Sequence, residues 1–276
     1  WLACAVEAAW LPTPEPVRTR IPLNATLPAV PAERVPEVLA KYAGDIQELK
    51  IKVAEKGQSL ADDIARVAAA REALPNARLK VDANMGYTFA GALDALRKLC
   101  EYGIIYAEQP VASIEDMAAL RFAIAKEGLP ARIAADESIR KAEDPLKVAR
   151  ANAADLMVIK AAPLGGVRRA LALVEQAQLP AVVSSALESS VGIGVGASLA
   201  ASLPTLKYGC GLGTVSLMAE DVTDEPLIAR DGFMDLRAIT PSPQRLERLA
   251  TDEQTHQWWV ERVTACYRVL ERTADL

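Results

Sequence analysis

Apolar runs of strand length recur along this chain, and five of them carry a charged residue near their C-terminal end. They are LKIKV with Lys52, LKVDAN with Asp82, IIYAEQP with Glu108, RIAADES with Asp136 and LMVIK with Lys160. Subtracting successive positions gives gaps of 30, 26, 28 and 24 residues. A βα unit with a strand of ~5–6 residues, a helix of ~11–12 and two short loops fills each gap once. In a closed parallel barrel the C-terminal strand ends share one face, and that face carries the chemistry. The cadence therefore gathers three carboxylates and two ammonium groups at one mouth. Three carboxylates in a dry site repel one another unless a cation sits among them. The pattern predicts a metal-dependent enzyme with a lysine on either side of its substrate.

Eight candidate strands follow a short helical stretch (Trp1 to Trp10) and the Pro-punctuated loop LPTPEPVRTR, which cannot be helical throughout. They are residues 21–27, 49–53, 79–84, 104–110, 132–138, 156–160, 181–187 and 207–213. Amphipathic segments such as SLADDIARVAAAREAL and FAGALDALRKLCEYG separate most of them, with apolar residues at three- and four-residue spacing. Gly103 and Gly128 stand where helix C-terminal caps are expected. Strand and helix alternate from about residue 19 to 215, which predicts an α/β fold of the TIM-barrel type over residues 19–225. An open doubly wound sheet is the competitor, but it uses one crevice at its switch point and not five successive strand ends. Residues 226–276 break the cadence, and are expected to pack with the N-terminal helix outside the barrel.

The 276 residues suffice for one barrel and a small appendage. A net charge of −5 gives no reason to expect nucleic acid or an anionic membrane as partner. Cys4, Cys100, Cys210 and Cys266 form no CxxC pair, and His256 is the one imidazole, so a zinc site is not expected. Reduced, mostly buried thiols in a cytoplasmic protein are. The run from Val182 to Pro204 is apolar but holds Glu188, several serines and three glycines, and reads as a buried βα unit, not a membrane span. WLACAVEAAW lacks the basic start of a secretory signal. The chain begins at Trp1 and reads as a processed or incompletely represented protein. Its oligomeric state stays open, a monomer being compatible with everything above.

Lys50 and Lys52 lie two apart in a strand and so share a face. Two neighbouring ammonium groups and burial both disfavour charge, which brings one of them toward neutrality near pH 7. A solvated basic strand end is the alternative. Asp82, Glu108 and Asp136 offer hard oxygen ligands that suit Mg²⁺, or Mn²⁺, and leave about three coordination positions for water and a substrate carboxylate. Singly, each carboxylate reads equally well as a helix cap or a surface ion pair. Asn84 shares the face of Asp82 and is placed to orient the site, while Glu137 should point elsewhere if its strand is regular.

Taken in order, Lys50-x-Lys52, Asp82-x-Asn84, Glu108-Gln109-Pro110, Asp136-Glu137-Ser138 and Lys160 resemble the enolase superfamily in its muconate-lactonizing subgroup. VIKAAPLGG (158–166), SSALESSVGIG (184–194) and YGCGLGT (208–214) are most similar to the o-succinylbenzoate synthases of menaquinone biosynthesis, in their actinobacterial form. The resemblance covers roughly residues 1 to 240. It implies a modified barrel with a small α+β capping domain, of which residues 1–18 would be an N-terminally incomplete remnant. It further implies a lyase that dehydrates 2-succinyl-6-hydroxy-2,4-cyclohexadiene-1-carboxylate (SHCHC) to 2-succinylbenzoate, through a lysine base and Mg²⁺. Lys52 would take the proton and Lys160 would stand as a cation on the opposite face. Ser185, Ser189 and Ser190, with backbone NH groups around Gly211 and Gly213, are the candidates for the succinyl tail. An N-succinyl or N-acylamino acid racemase remains the alternative, because it needs the same two lysines. A dipeptide epimerase is disfavoured, since Gly211-Leu212-Gly213 stands where its Asp-x-Asp would be. A non-catalytic barrel scaffold fits poorly with retention of all five charged positions.

Overall fold

The computed structural model describes residues 1–42 and 44–274. Helix α1 (Leu2–Trp10) leads through the proline-rich loop to β1 (Arg20–Pro22) and β2 (Ala25–Leu27), then to α2 (Val35–Leu39). Regular βα units come next: β3 (Glu48–Lys52) with α3 (Leu60–Ala73), β4 (Arg78–Asp82) with α4 (Phe89–Leu99), and β5 (Ile104–Glu108) with α5 (Ile114–Glu127). Two short helices, α6 (Glu137–Arg140) and α7 (Lys147–Arg150), separate β6 (Arg132–Ala135) from β7 (Leu156–Ile159). Then come α8 (Ala161–Leu164), α9 (Val167–Ala177), β8 (Ala181–Val183) and α10 (Ser190–Ser202). The chain ends with β9 (Phe233–Asp235), α11 (Pro243–Arg248) and α12 (Glu253–Ala274).

Strands β2 to β8 form one parallel sheet in sequence order. Such a sheet is covered on both faces, and Leu49, Ile51, Leu79, Val81, Ile133 and Ile159 are fully or almost fully buried. The sheet is closed by residues 209–211, which meet both of its edges. Leu23 bridges Cys210 and Ser184 bridges Gly211, both in parallel. The eighth strand expected at 207–213 is therefore a pair of bridges. Its glycines explain why: a Cβ on Gly209 would lie 2.8 Å from the Leu23 carbonyl carbon, and one on Gly211 would lie 2.7 Å from Ser184 Oγ. Side chains would push this segment off its two neighbours. Beneath it Glu48 and Lys80 act as a latch. Lys80 Nζ donates to Glu48 at 3.2 Å and to the Gly209 carbonyl at 2.8 Å, and Gly209 N donates to Glu48 at 2.8 Å.

The first expected strand, 21–27, is split. β1 leaves the barrel and pairs antiparallel with β9, and only β2 joins the parallel sheet. The proline at position 22 and the separate partners of the two halves account for the division. The β1–β9 pair thus ties part of the C-terminal segment to the chain's beginning, and Arg237 and Ile239 line a cleft with Cys4 and Glu7 of α1. The Trp258–Trp259 helix behaves otherwise. Residues 249–268 are exposed throughout, and the two indoles pack edge to face on each other. Cys266 is correspondingly exposed, whereas Cys4 and Cys210 are buried.

Local signals account for the helix ends. Ser59 and Asp62 exchange side-chain-to-backbone bonds at the start of α3, a reciprocal cap that satisfies two orphan donors. Ser113 caps α5. Gly103 and Gly128, both at φ +69°, end their helical segments in the left-handed region that a Cβ disfavours. The apolar run at 182–204 divides between β8 and α10, and no helix among the described residues is long and apolar enough to cross a membrane.

Candidate active site

Register sets the site. In β3 and β4, Lys52 stands opposite Asp82, and in β4 and β5, Asp82 stands opposite Glu108. Successive inward positions of β3 are Glu48, Lys50 and Lys52, so the strand contributes one group to each layer of the barrel interior. Lys50 Nζ reaches Asp82 Oδ2 at 2.9 Å and Glu108 Oε1 at 3.3 Å. Lys52 Nζ donates to the same Asp82 oxygen at 2.6 Å and to Asn84 Oδ1 at 2.6 Å. Across the mouth, Lys160 Nζ donates to Asp136 Oδ2 at 2.8 Å. The carboxylates are buried, whereas the Lys52 side chain is 30 % exposed against 12 % for Lys50 and 10 % for Lys160.

Backbone strain is concentrated here. Ala54, Asn84, Met85, Gln109 and Leu187 have positive φ and all follow barrel strands at the mouth. Non-glycine residues persist in that region where surrounding contacts over-determine them. At Gln109 those contacts are explicit. Its Oε1 accepts from Asp136 N and Ser138 N, both at 3.1 Å, and its Nε2 donates to Val111 O at 3.0 Å and Ser138 Oγ at 2.8 Å. The side chain of Gln109 thus pins the turn that carries Asp136 to the end of β5. Gln109→Leu would leave several buried groups unpaired at roughly 1–3 kcal/mol each, so a loss of about 3 kcal/mol or more is expected. Urea unfolding of the variant measures it.

At Lys50 the electrostatics run against the repulsion expected between the two lysines. Burial pulls the Lys50 ammonium down, but Glu108 and Asp82 outweigh it, and Lys50 is held above the ordinary lysine range. It is therefore firmly a cation. Burial alone would raise Asp82; Lys50 and Lys52 overcome that and hold it below the usual carboxylate range. Glu108 goes the other way. Burial and the neighbouring Asp82 push it up to about 7, with Lys50 opposing and Asp136 adding to the rise. Lys50, 3.3 Å away, and Lys52 offset only part of that rise, which leaves a deficit of positive charge around Glu108.

That deficit bears on a metal. Asp82, Glu108 and Asp136 supply oxygen donors only, the chemistry of a hard divalent cation. A cation beside Glu108 would reverse the penalty on its charged form. Among the described residues, no three His, Cys, Asp or Glu side chains are gathered closely enough to hold a metal ion as they stand. The lysine ammonium groups lie between the carboxylates instead. The donor set fits such a cation; the rotamers shown are those of a lysine-paired site.

Glu137 lies closer to the site than alternation predicts. β6 ends at Ala135, so Glu137 opens α6 and its side chain turns back to the mouth. Its Oε1 accepts from Asn84 Nδ2 at 3.3 Å and Arg140 Nη2 at 2.6 Å, while Oε2 is buried without a partner. Arg140 Nε also donates to Asp136 Oδ1 at 3.1 Å. A continuous chain of bonds so links Lys52, Asn84, Glu137, Arg140, Asp136 and Lys160. Glu137 was expected to point away from the site and Arg140 was not anticipated at all, because a strand period does not extend into a helix turn.

The expected tail-binding set separates. Ser190 is fully buried: its hydroxyl donates to Asp221 and accepts from Leu227 N at 2.7 Å, and its N–H donates to Asp221. Gly211 N donates to Val183 O at 2.9 Å as part of barrel closure. Neither is placed to hold a substrate. Ser185 stays partly exposed at the mouth and shares a 2.9 Å bond with Thr214, a residue the expected set lacked. Ser189 begins α10 with no side-chain cap bond, and nothing lies within 4 Å of a Cβ built on Gly213. Two surface clefts of about 330 and 290 Å³ lie elsewhere, lined by none of the five charged residues.

Comparisons with known proteins identify the family. Residues 32–241 match the family described as Enolase C-terminal domain-like. An o-succinylbenzoate synthase from Mycolicibacterium smegmatis is 53 % identical over 271 residues, which is 98 % of this chain and 82 % of that protein. One from Mycobacterium leprae is 50 % identical, over 98 % of this chain and 78 % of its own. Among solved structures, muconate cycloisomerase from Pseudomonas fluorescens superposes with a TM-score of 0.74 at 28 % identity, covering 84 % of this chain and 66 % of that one. The match spans all the charged strand ends and the residues that close the barrel, so the chain belongs to the enolase superfamily, within its o-succinylbenzoate synthase family.

Proposed function

We propose that the chain catalyses the dehydration of SHCHC to 2-succinylbenzoate, a step of menaquinone biosynthesis. One observation carries the reading: about half of all residues are shared, over nearly the whole chain, with proteins named for that product. The mouth supplies the chemistry. The proton to be removed lies beside a carboxylate, so its loss puts a second negative charge on one group. Asp82, Glu108 and Asp136 are the residues that would hold Mg²⁺ or Mn²⁺, which when bound stabilises that charge.

Lys52 is the proposed base. Its amine, the most exposed of the three, takes the proton from the ring carbon bearing the carboxylate. The resulting ammonium returns a proton to the hydroxyl leaving the neighbouring carbon, so water departs, the ring becomes aromatic and Lys52 is neutral again. Lys50, cationic and held between Asp82 and Glu108, contributes charge and does not act as a base. Lys160, fixed by Asp136 on the other side, keeps its proton and faces the ring as a cation. Ser185, Ser189 and the Gly213–Thr214 turn are the remaining candidates for the succinyl tail, with Asn84 orienting Lys52. A cytoplasmic enzyme acting on a small carboxylate is the setting that fits, with residues 1–18 as part of a capping domain and 19–225 as the barrel.

The test is a comparison of kcat/KM for SHCHC and for an N-succinyl amino acid, with Mg²⁺ present. Dehydration is expected to dominate, with weak or no racemization. A racemase value tenfold or more above the dehydratase value would reassign the reaction and leave the family membership standing.

A further inference from the structure

Behind Lys52 lies an ion pair that the proposed chemistry does not use. Asp63 and Arg66, both on α3, are 1 % and 0 % exposed. Arg66 donates to the carbonyl of Lys52 itself at 2.9 Å, to Asp63 Oδ1 at 2.9 Å and to Val30 O at 2.6 Å, and it is also bonded to Gln58. Asp63 Oδ2 accepts from Ala54 N at 3.0 Å and from the Tyr87 hydroxyl at 2.6 Å. The backbone on both sides of Val53 is therefore gripped by charged side chains, with Ala54 held at φ +58°.

Tyr87 belongs to the next loop, the one that bears Asn84. The two loops touch closely, since a Cβ on Gly86 would lie 2.6 Å from the Ala54 carbonyl oxygen. The Asn84 loop hence meets the Lys52 strand end twice: in front through Asn84 Oδ1 and Lys52 Nζ, and behind through Tyr87, Asp63 and Ala54 N. Stability alone is a poor reason for this arrangement. Replacing a buried ion pair with apolar residues is often neutral or stabilising, whereas its hydrogen bonds fix orientation. Here the bonded groups are the backbone atoms from which the proposed base projects.

We propose that Asp63, Arg66 and Tyr87 are positioning residues that together set where the Lys52 amine stands relative to Asn84 and the substrate. The inference rests on Lys52 being the base. A displacement of ~1 Å at a reacting group is enough to slow its step severely.

Tyr87→Phe tests this on the full chain with Mg²⁺ and SHCHC, because it deletes one hydroxyl and keeps the ring. The variant is expected to lose about tenfold in kcat with KM within about twofold, a change of about 1.4 kcal/mol in barrier. The primary isotope effect with substrate deuterated at the abstracted position should rise, since proton removal becomes more rate-limiting. Arg66→Lys should do the same more strongly; if it fails to fold, Tyr87→Phe alone decides. An unchanged kcat and isotope effect in Tyr87→Phe, with the parent chain active, would overturn the clamp only. So would a rate that falls only with the folded fraction while the isotope effect stays at the parent value. A parent chain with no dehydratase activity would overturn the assigned reaction and the clamp's role with it.

Discussion

Lys52→Ala is expected to lower kcat at least ~10²-fold, the low end of what a positioned general base contributes. Its amine is the ammonium-bearing group with the most access at the mouth, and it is bonded to both Asp82 and Asn84. Truncation should not unfold the protein. Asp82 keeps Lys50 at 2.9 Å, so no buried carboxylate is orphaned, and Arg66 binds the Lys52 carbonyl, which alanine retains. KM should therefore change far less than kcat, the signature of an interaction made chiefly in the transition state. Steady-state kinetics alongside a thermal melt measure both. Near-normal turnover in the variant would remove Lys52 from its role. Lys50→Ala should divide its effects differently: Glu108 then loses its 3.3 Å bond to Lys50 deep in the barrel, so stability suffers and the rate falls less than with Lys52→Ala.

The charged strand ends were legible because strand alternation is strict. Once LKIKV and LKVDAN are read as parallel strands, Lys50, Lys52 and Asp82 have one shared side to point to, and adjacent register brings them within bonding distance. The helix ends at Gly103 and Gly128 were legible for a similar reason: each glycine acts on its own neighbours in sequence. Parts that depended on distant partners were not. Nothing near Ser190 announces Asp221, 31 residues on, which takes it out of the substrate site. The pairing of β1 with β9 joins residues more than two hundred positions apart and diverts half of an apparently regular strand.

For Lys50, repulsion from its neighbour does not decide the charge, again because of partners distant in sequence. Two ammonium groups taken alone repel, but Asp82 and Glu108 arrive from the next two strands and reverse the sign for Lys50. Glu48 and Lys80 were overlooked as well. Each is a charged residue in an apolar run, which reads as a strand margin until register shows them one layer below the site, latched to Gly209. Glu137 was misplaced because its strand stops two residues before it.

Asp136→Asn is expected to lose more than half of its metal occupancy at millimolar Mg²⁺, and with it most of the turnover. A neutral amide is a poorer ligand than a carboxylate for a hard cation. The change should not create a large void, since asparagine has nearly the same shape. It does alter two contacts: Oδ2 accepts from Lys160 and Oδ1 from Arg140, and an amide offers only one acceptor atom for the two. A rate loss alone would therefore not separate a metal defect from a displaced Lys160. Calorimetric titration of the substrate-free protein with Mg²⁺, or with Mn²⁺ followed by electron paramagnetic resonance, reads the metal directly. If affinity is unchanged while the rate falls, Asp136 acts through Lys160 and is no ligand. The parent chain carries the complementary control. Exhaustive EDTA treatment and dialysis should abolish its turnover and Mg²⁺ should restore it, because a divalent cation held by the three carboxylates would stabilise the charge that develops on the substrate carboxylate as its proton leaves. Full activity after that treatment would rule out the metal for this site, and the lysines alone would then have to stabilise the developing charge.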